Sequence, residues 1–485
     1  MKDAVYWVEK FKQKEISLSE YYKELDQQVQ KLNPAVNGLV EWDFEAISKE
    51  VKDFSIDEQL PFSGMPFPLK MLGQEKAGWK ATFGSHLFSD ARSKRTSNYV
   101  KKLEQLGFIA AGQTNSPEFG FKNITDPVLY GPARNPWNLD YSPGGSSGGA
   151  AAVVASGLFP IAGASDGGGS IRIPAAFTGL IGLKPTRGAM PTGPNGWRGW
   201  QGAAIDFALT VSMRDTEKLF YGMRGIQKAA PYQPPLAEWQ SHTIDRPLKI
   251  AYIAESPVGT EVSKDAQQAL KQMFNELNQL GHDLTEVVYP VDGVSLIESY
   301  YLMNGAETSA MFDGMQQKLK RKLTADDVEL ITWGLYQYGE QIPVKKYIHA
   351  LNLWDHAAVK MEELFTQYDL LLTPTTAYSA PEIDQELQSD AQRETLRHAE
   401  ELTEAELKEL IYEMFEKSLA LSPYTQIANM TGQPAISLPT YVTENGLPLG
   451  IQFIASKGRE DLLLHMGKQL EKEQLFKLPK VWKNT

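Results

Sequence analysis

The chain has 485 residues, 42% hydrophobic and 22% charged, a balance that permits a sizeable buried core and argues against disorder. Its formal net charge of −12 opposes the attraction that holds proteins on nucleic-acid backbones, so no nucleic-acid partner is expected. The absence of cysteine excludes disulfides, thiolate metal sites and a cysteine nucleophile together.

Lys2, Asp3, Glu9, Lys10, Lys12 and Lys14 break up the first residues, leaving no apolar signal-peptide core. The longest small or apolar stretches, such as 150–155, fall far short of the roughly 20 residues of a spanning helix. A cytoplasmic protein without membrane association is expected. Ser17-Leu18-Ser19-Glu20 reads as a capping box that opens a helix with apolar positions at Leu18, Tyr21, Tyr22, Leu25, Val29 and Leu32. Lys70 follows in Gly64 to Leu72, an apolar, proline-rich stretch unlike the charged text around Lys101 and Lys102. A helix over about 94–106 ends at Gly107 and leads into a short buried strand at 108–111, half of a βαβ-type unit.

Two glycine-rich runs come next, Gly144-Gly145-Ser146-Ser147-Gly148-Gly149 and Asp166-Gly167-Gly168-Gly169-Ser170-Ile171-Arg172. The proline-bearing segment 230–235 is the best linker candidate, joining two halves of one domain. A second unit reads as strand 247–253, helix 265–280 and strand 284–289. From about 294 to 422 the text is helix-rich and charged, interrupted by a strand-like 368–372. Strands at 435–439 and 449–454 and a helix over about 460–470 close the chain. Strands alternating with helices argue for a sheet covered on both faces, and their spread to both ends argues for one interleaved domain over 1–485.

Cleavage of an unactivated carbonyl by serine needs a base, donors for the oxyanion and an acid for the leaving group. Gly167, Gly168 and Gly169 precede Ser170 and can present several N–H groups to an oxyanion, which makes Ser170 the better nucleophile candidate. A phosphate cradle fails because GxxxxGK[ST] spacing is absent. Gly144 to Gly148 formally matches the G-x-S-x-G elbow, which would make Ser146 the nucleophile. That elbow needs a preceding strand, whereas 135–143 reads as a proline-punctuated loop, and it needs a histidine held by a carboxylate. Most of the seven histidines lie in polar helical text, and His349 and His356 lack metal-site spacing. A lysine whose pKa burial depresses can serve as base instead, and Lys70 is the candidate, although without the serine motifs it reads better as a snorkelling lysine.

With Lys70, Ser146 and Ser170 assembled, the chain resembles the amidase signature family of serine hydrolases. The resemblance is carried by Gly144 to Gly149, Asp166 to Ala175 and Gly179 to Thr186, with Gly112 to Phe119 upstream and Asn429 to Pro439 downstream, and it spans about 16–470. It implies an α/β fold with a central mixed β-sheet covered by helices on both faces, elaborated by helices at about 294–422. It implies Ser170 as nucleophile, Ser146 after a cis peptide bond as proton relay to Lys70, and the N–H groups of Gly167, Gly168, Gly169 and Ser170 as oxyanion hole. No metal or cofactor is implied. Ser147, Asp166 and Arg172 are expected to support these groups, with an Asp166–Arg172 ion pair stiffening the loop.

Two departures stand out: Met71 follows Lys70 where the family commonly has aspartate, and Gly167 holds a position that often carries a hydroxyl. They bear on the support and pKa of Lys70 rather than on the nucleophile. The stretches 323–333 and 373–383 are similar to the branch containing 6-aminohexanoate cyclic-dimer hydrolase and related bacterial amidases. A small aliphatic or oligoamide substrate is implied, hydrolysed by a monomer or homodimer. Trp197 and Trp200 are candidate walls of the acyl pocket, or equally part of a structural loop. The alternatives are the glutamine-hydrolysing A subunit of a tRNA-dependent amidotransferase, against which the two tryptophans speak, and a silent binding protein, against which the retained Lys70, Ser146 and Ser170 speak.

Overall fold

The apolar runs assemble into two sheets in a computed structural model that describes residues 1–235, 244–383, 385 and 387–483. Strands β1 (Leu39–Glu41), β2 (Pro66–Lys70) and β3 (Ile109–Thr114) form a small sheet in the order β1-β3-β2, with β2 and β3 parallel. The helix between β2 and β3 starts at Asn98 rather than near 94, because the Ser97 side chain accepts from the Val100 N–H and caps it there.

The larger sheet contains β4 (Ile161–Asp166), β5 (Ile181–Lys184), β6 (Ile205–Thr210), β7 (Lys249–Tyr252), β8 (Asp283–Glu286), β9 (Leu370–Pro374), β10 (Ala435–Val442) and β11 (Pro448–Ile454). Their order is β4-β6-β5-β10-β11-β9-β7-β8. It is mixed: β7 runs parallel to β8 and β9, while the pairings from β4 to β9 are antiparallel. Residues of β11 and β9 are buried without alternation, as expected for central strands with helices on both faces. The amphipathic helix Lys264–Gln279 illustrates the cover, turning Ala266, Leu270, Met273 and Leu277 inward.

The helix-rich stretch builds a layer with its own apolar cluster, in which Phe312, Trp333, Tyr338, Trp354 and Ile411 are buried. Its helices include Gly293–Leu319, Leu330–Gln341, Val344–Phe365 and Glu404–Leu421, while β9 leaves the layer to join the large sheet. The Tyr300 hydroxyl on the first of these helices donates to the Gly167 carbonyl at 3.0 Å. The layer thus reaches the second glycine run directly. Among the described residues, no helix is long and apolar enough to cross a membrane.

Candidate active site

Lys70 ends β2, in the small sheet, and its side chain is fully buried. Gln74 clips this end to the large sheet: its Oε1 accepts from the Lys70 N–H at 3.0 Å, and its Nε2 donates to the Ala164 carbonyl at 3.0 Å. Lys70 Nζ then lies 2.7 Å from Ser146 Oγ and 2.9 Å from Ser165 Oγ, hydrogen-bonded to both. The peptide bond between Gly145 and Ser146 is cis. Ser147 Oγ accepts from the Ser165 N–H and donates to its carbonyl, each at 3.2 Å, which fixes β4 beside the lysine. Ser170 lines one cavity with Ser146 and Ser165, and its hydroxyl has no hydrogen-bond partner among the described residues.

Burial pushes the Lys70 ammonium down to about 7, even though the carboxylates of Asp206 and Asp166 favour its charged form. Met71, the departure from the family pattern, is buried and brings no charge. The nearby carboxylate comes instead from β6, where Asp206 stands directly opposite Ser165 in the register. Asp206 Oδ1 is buried without a hydrogen-bond partner, and burial, against the pull of Lys70, raises this acid to about 6.

Asp166 and Arg172 form a fully buried ion pair, with Nη2 at 2.9 Å from Oδ1 and Nε at 3.0 Å from Oδ2. Burial raises Asp166, but Arg172, Lys184 and Asn429 outweigh it and hold the carboxyl down to about 2. Asp166 also accepts from the N–H groups of Gly169 at 2.7 Å and Ile171 at 3.2 Å. This corrects the expectation of four oxyanion donors. The Gly169 N–H is committed to Asp166, and its φ of +130° places it in a conformation that favours glycine. The N–H groups of Gly167, Gly168 and Ser170 carry no hydrogen bond among the described residues.

The family described as amidase matches residues 18–464. The chain belongs to the amidase family. It is 41% identical to a lipoamidase of Enterococcus faecalis over 450 residues, covering 93% of this chain but 60% of that protein. It is 31% identical over 481 residues to a 6-aminohexanoate-cyclic-dimer hydrolase of Paenarthrobacter ureafaciens, covering 97% of this chain and 94% of that one. The solved structure of 6-aminohexanoate cyclic dimer hydrolase complexed with substrate superposes with a TM-score of 0.86 at 29% identity, over 99% of this chain and 98% of the other.

Within this amidase frame, Ser170 faces two cavities. One, of about 300 Å³, holds Ser146 and Ser165 and is walled by Trp197, Trp200, Met190 and Tyr232. Tyr232 belongs to the segment read as a linker, and Arg187 and Arg198 lie over its ring. The other, of about 60 Å³, lies on the side of the helical layer. Gly120, Ser170 and Trp200 border both. Trp200 stacks on Phe121 with ring centroids 5.8 Å apart and planes 2° from parallel. The second departure follows from that stack: a Cβ on Gly167 would meet the Trp200 ring at 2.7 Å, so the indole takes the room a side chain would need. Ser165, Asp206, Gln74 and Tyr300 were not singled out from sequence. No local motif marks them, because they reach the site only through strand register and the packing of distant segments.

Proposed function

We propose that this amidase-family chain hydrolyses small aliphatic amides and oligoamides through an acyl-enzyme on Ser170, as a single catalytic unit. The observation that carries the reading is a buried lysine hydrogen-bonded to Ser146 in the cavity that Ser170 lines. Neutral Lys70 takes a proton from Ser146, Ser146 takes one from Ser170, and Ser170 Oγ attacks the amide carbon. The N–H groups of Gly167, Gly168 and Ser170 receive the oxyanion. Ser146 returns a proton to the leaving nitrogen as the C–N bond breaks, and water releases the acid by the same relay. Relatives named for lipoamide and for a cyclic oligoamide support an amide of an aliphatic acid as substrate.

The test is partitioning with hydroxylamine. A series of aliphatic p-nitroanilides should yield hydroxamate in competition with free acid, and trypsin digests of rapidly quenched reactions should carry the acyl mass on the peptide containing Ser170. Turnover that yields neither hydroxamate nor an acylated Ser170 peptide would rule out the acyl-enzyme.

The pH profile follows from the lysine. The neutral form is required, so kcat/KM should rise with pH through about 7 and fall about tenfold per unit below it. Asp206 favours the ammonium form, so Asp206→Asn should move this acid limb to lower pH. An unchanged limb, measured from pH 5 to 9, would detach Asp206 from the lysine.

A further inference from the structure

Two turns packed together beside the active site hold their backbone in the left-handed region. Phe83 and Gly84 have φ of +52° and +72°, and Phe119 and Gly120 have φ of +48° and +78°. Glycine adopts this region freely, whereas a phenylalanine there is strained and stays only where its surroundings impose it. The turns form one unit. The Phe119 N–H donates to the Phe83 carbonyl at 2.9 Å, their rings stack with centroids 6.4 Å apart, and a Cβ on Gly84 would meet the Ser116 carbonyl oxygen at 2.7 Å.

The second turn abuts Ser146. Gly120 borders both cavities, and a Cβ on it would lie 2.6 Å from the Leu72 side chain and 3.2 Å from Ser146 Oγ. Phe119 walls the larger cavity, and Phe121, stacked on Trp200, walls the smaller.

Glu118 ties this unit to the helical layer. It is 3% exposed and accepts from Ser85 Oγ at 2.5 Å, Thr332 Oγ at 2.6 Å and the Glu329 N–H at 2.8 Å. Ser85 follows the first turn, while Glu329 and Thr332 begin the helix Leu330–Gln341, whose N-terminal dipole favours a carboxylate. The three donors are neutral, and burial raises this acid against their pull. A buried carboxylate held without a cation is costly unless every such bond is kept, so the junction tolerates little movement. Lys122 closes a second clasp on the same helix end, 2.6 Å from Glu329 Oε2 and 3.0 Å from Asp126 Oδ1.

We propose that Glu118 is a positioning residue: by latching the paired turns to the helical layer, it keeps Gly120 against Ser146 and confines the Ser146 hydroxyl to its place between Lys70 and Ser170. The inference rests on the relay set out above.

Glu118→Gln and Glu118→Leu test it. In the first, the amide oxygen keeps the Glu329 N–H and the Thr332 hydroxyl, and the amide NH₂ donates to Ser85 Oγ, which can also accept. On an aliphatic p-nitroanilide, Glu118→Leu should lower kcat about tenfold to hundredfold with KM within about threefold, while Glu118→Gln stays within about threefold of wild type in both. Hydrogen exchange reads the turn without turnover, because the Phe119, Gly120 and Phe121 N–H groups are bonded to the carbonyls of Phe83, Pro117 and Glu118. Their protection should fall in Glu118→Leu and persist in Glu118→Gln. Should Glu118→Leu not fold, Thr332→Val, which removes one donor, takes its place with an expected loss in kcat of about threefold to tenfold. Wild-type kcat in the folded variant, a Glu118→Gln enzyme as slow as Glu118→Leu, or slow turnover with the turn still protected would each overturn the positioning role. Loss of protection in Glu118→Leu, with no anilide hydrolysed by the wild type, would overturn the hydrolase and leave Glu118 as the latch of the turn.

Discussion

Ser170→Ala is expected to lower kcat/KM for a good aliphatic anilide by about 10,000-fold or more while leaving the fold intact. The loss follows from removal of the attacking oxygen, and the retained stability follows from its surroundings. The Ser170 hydroxyl has no hydrogen-bond partner among the described residues and faces a cavity, so its deletion should shift stability by no more than about 0.5 kcal/mol. Ser146→Ala and Lys70→Met should cost comparable activity, because groups that act as one unit fail together and their losses do not add. Adding Lys70→Met to Ser170→Ala should therefore cost almost nothing further. Lys70→Met should also lower the thermal midpoint, since it takes the partner from the Ser146 and Ser165 hydroxyls and the charge that favours the buried Asp206 carboxylate. The measurement is a double-mutant cycle on kcat/KM paired with thermal melts. Additive losses in that cycle would mean that Lys70 and Ser170 do not share a step.

How much of this was legible in the sequence depends on how local each signal is. The second glycine run and the capping box at Ser17 are contiguous, and both could be read directly; the box forms with Ser17 and Glu20 bonded reciprocally. A sheet covered on both faces was legible as alternating strands and helices and its mixed character only through the family resemblance, but its order was not legible, because β4 and β11 lie almost 300 residues apart and are separated by three strands. The same long range hid Asp206, whose relation to Lys70 arises from cross-strand pairing with Ser165. The fate of the Gly169 N–H depended on which way the Asp166 carboxylate turns, and composition carries no trace of that.

Arg172→Met is expected to be the most destabilising single substitution near the site, by about 3–5 kcal/mol, because it leaves a buried carboxylate without its cation. Arg172 binds Asp166 through two nitrogens, and it also donates to the Thr425 carbonyl at 2.8 Å, Gln452 Oε1 at 2.7 Å and Asn429 Oδ1 at 2.6 Å. It thereby ties the end of β4 to β11 and to the helix Gln426–Thr431. The pH dependence separates a stranded charge from lost packing. In the wild type, Asp166 is held down to about 2, below the ordinary carboxylate value near 4. Its contribution is therefore present above about pH 4 and is lost as pH falls toward 2. Without Arg172, burial acts on Asp166 with less opposition and its pKa rises, so the variant is penalised most at neutral pH, where the carboxylate must ionise. The difference in thermal midpoint between wild type and Arg172→Met should therefore shrink between pH 7 and pH 4. Adding Asp166→Asn should restore part of the loss, since the amide oxygen can still accept from the Gly169 N–H. A midpoint difference constant over that range, together with no rescue by Asp166→Asn, would show that Arg172 acts through packing rather than as the counter-charge that holds the nucleophile loop.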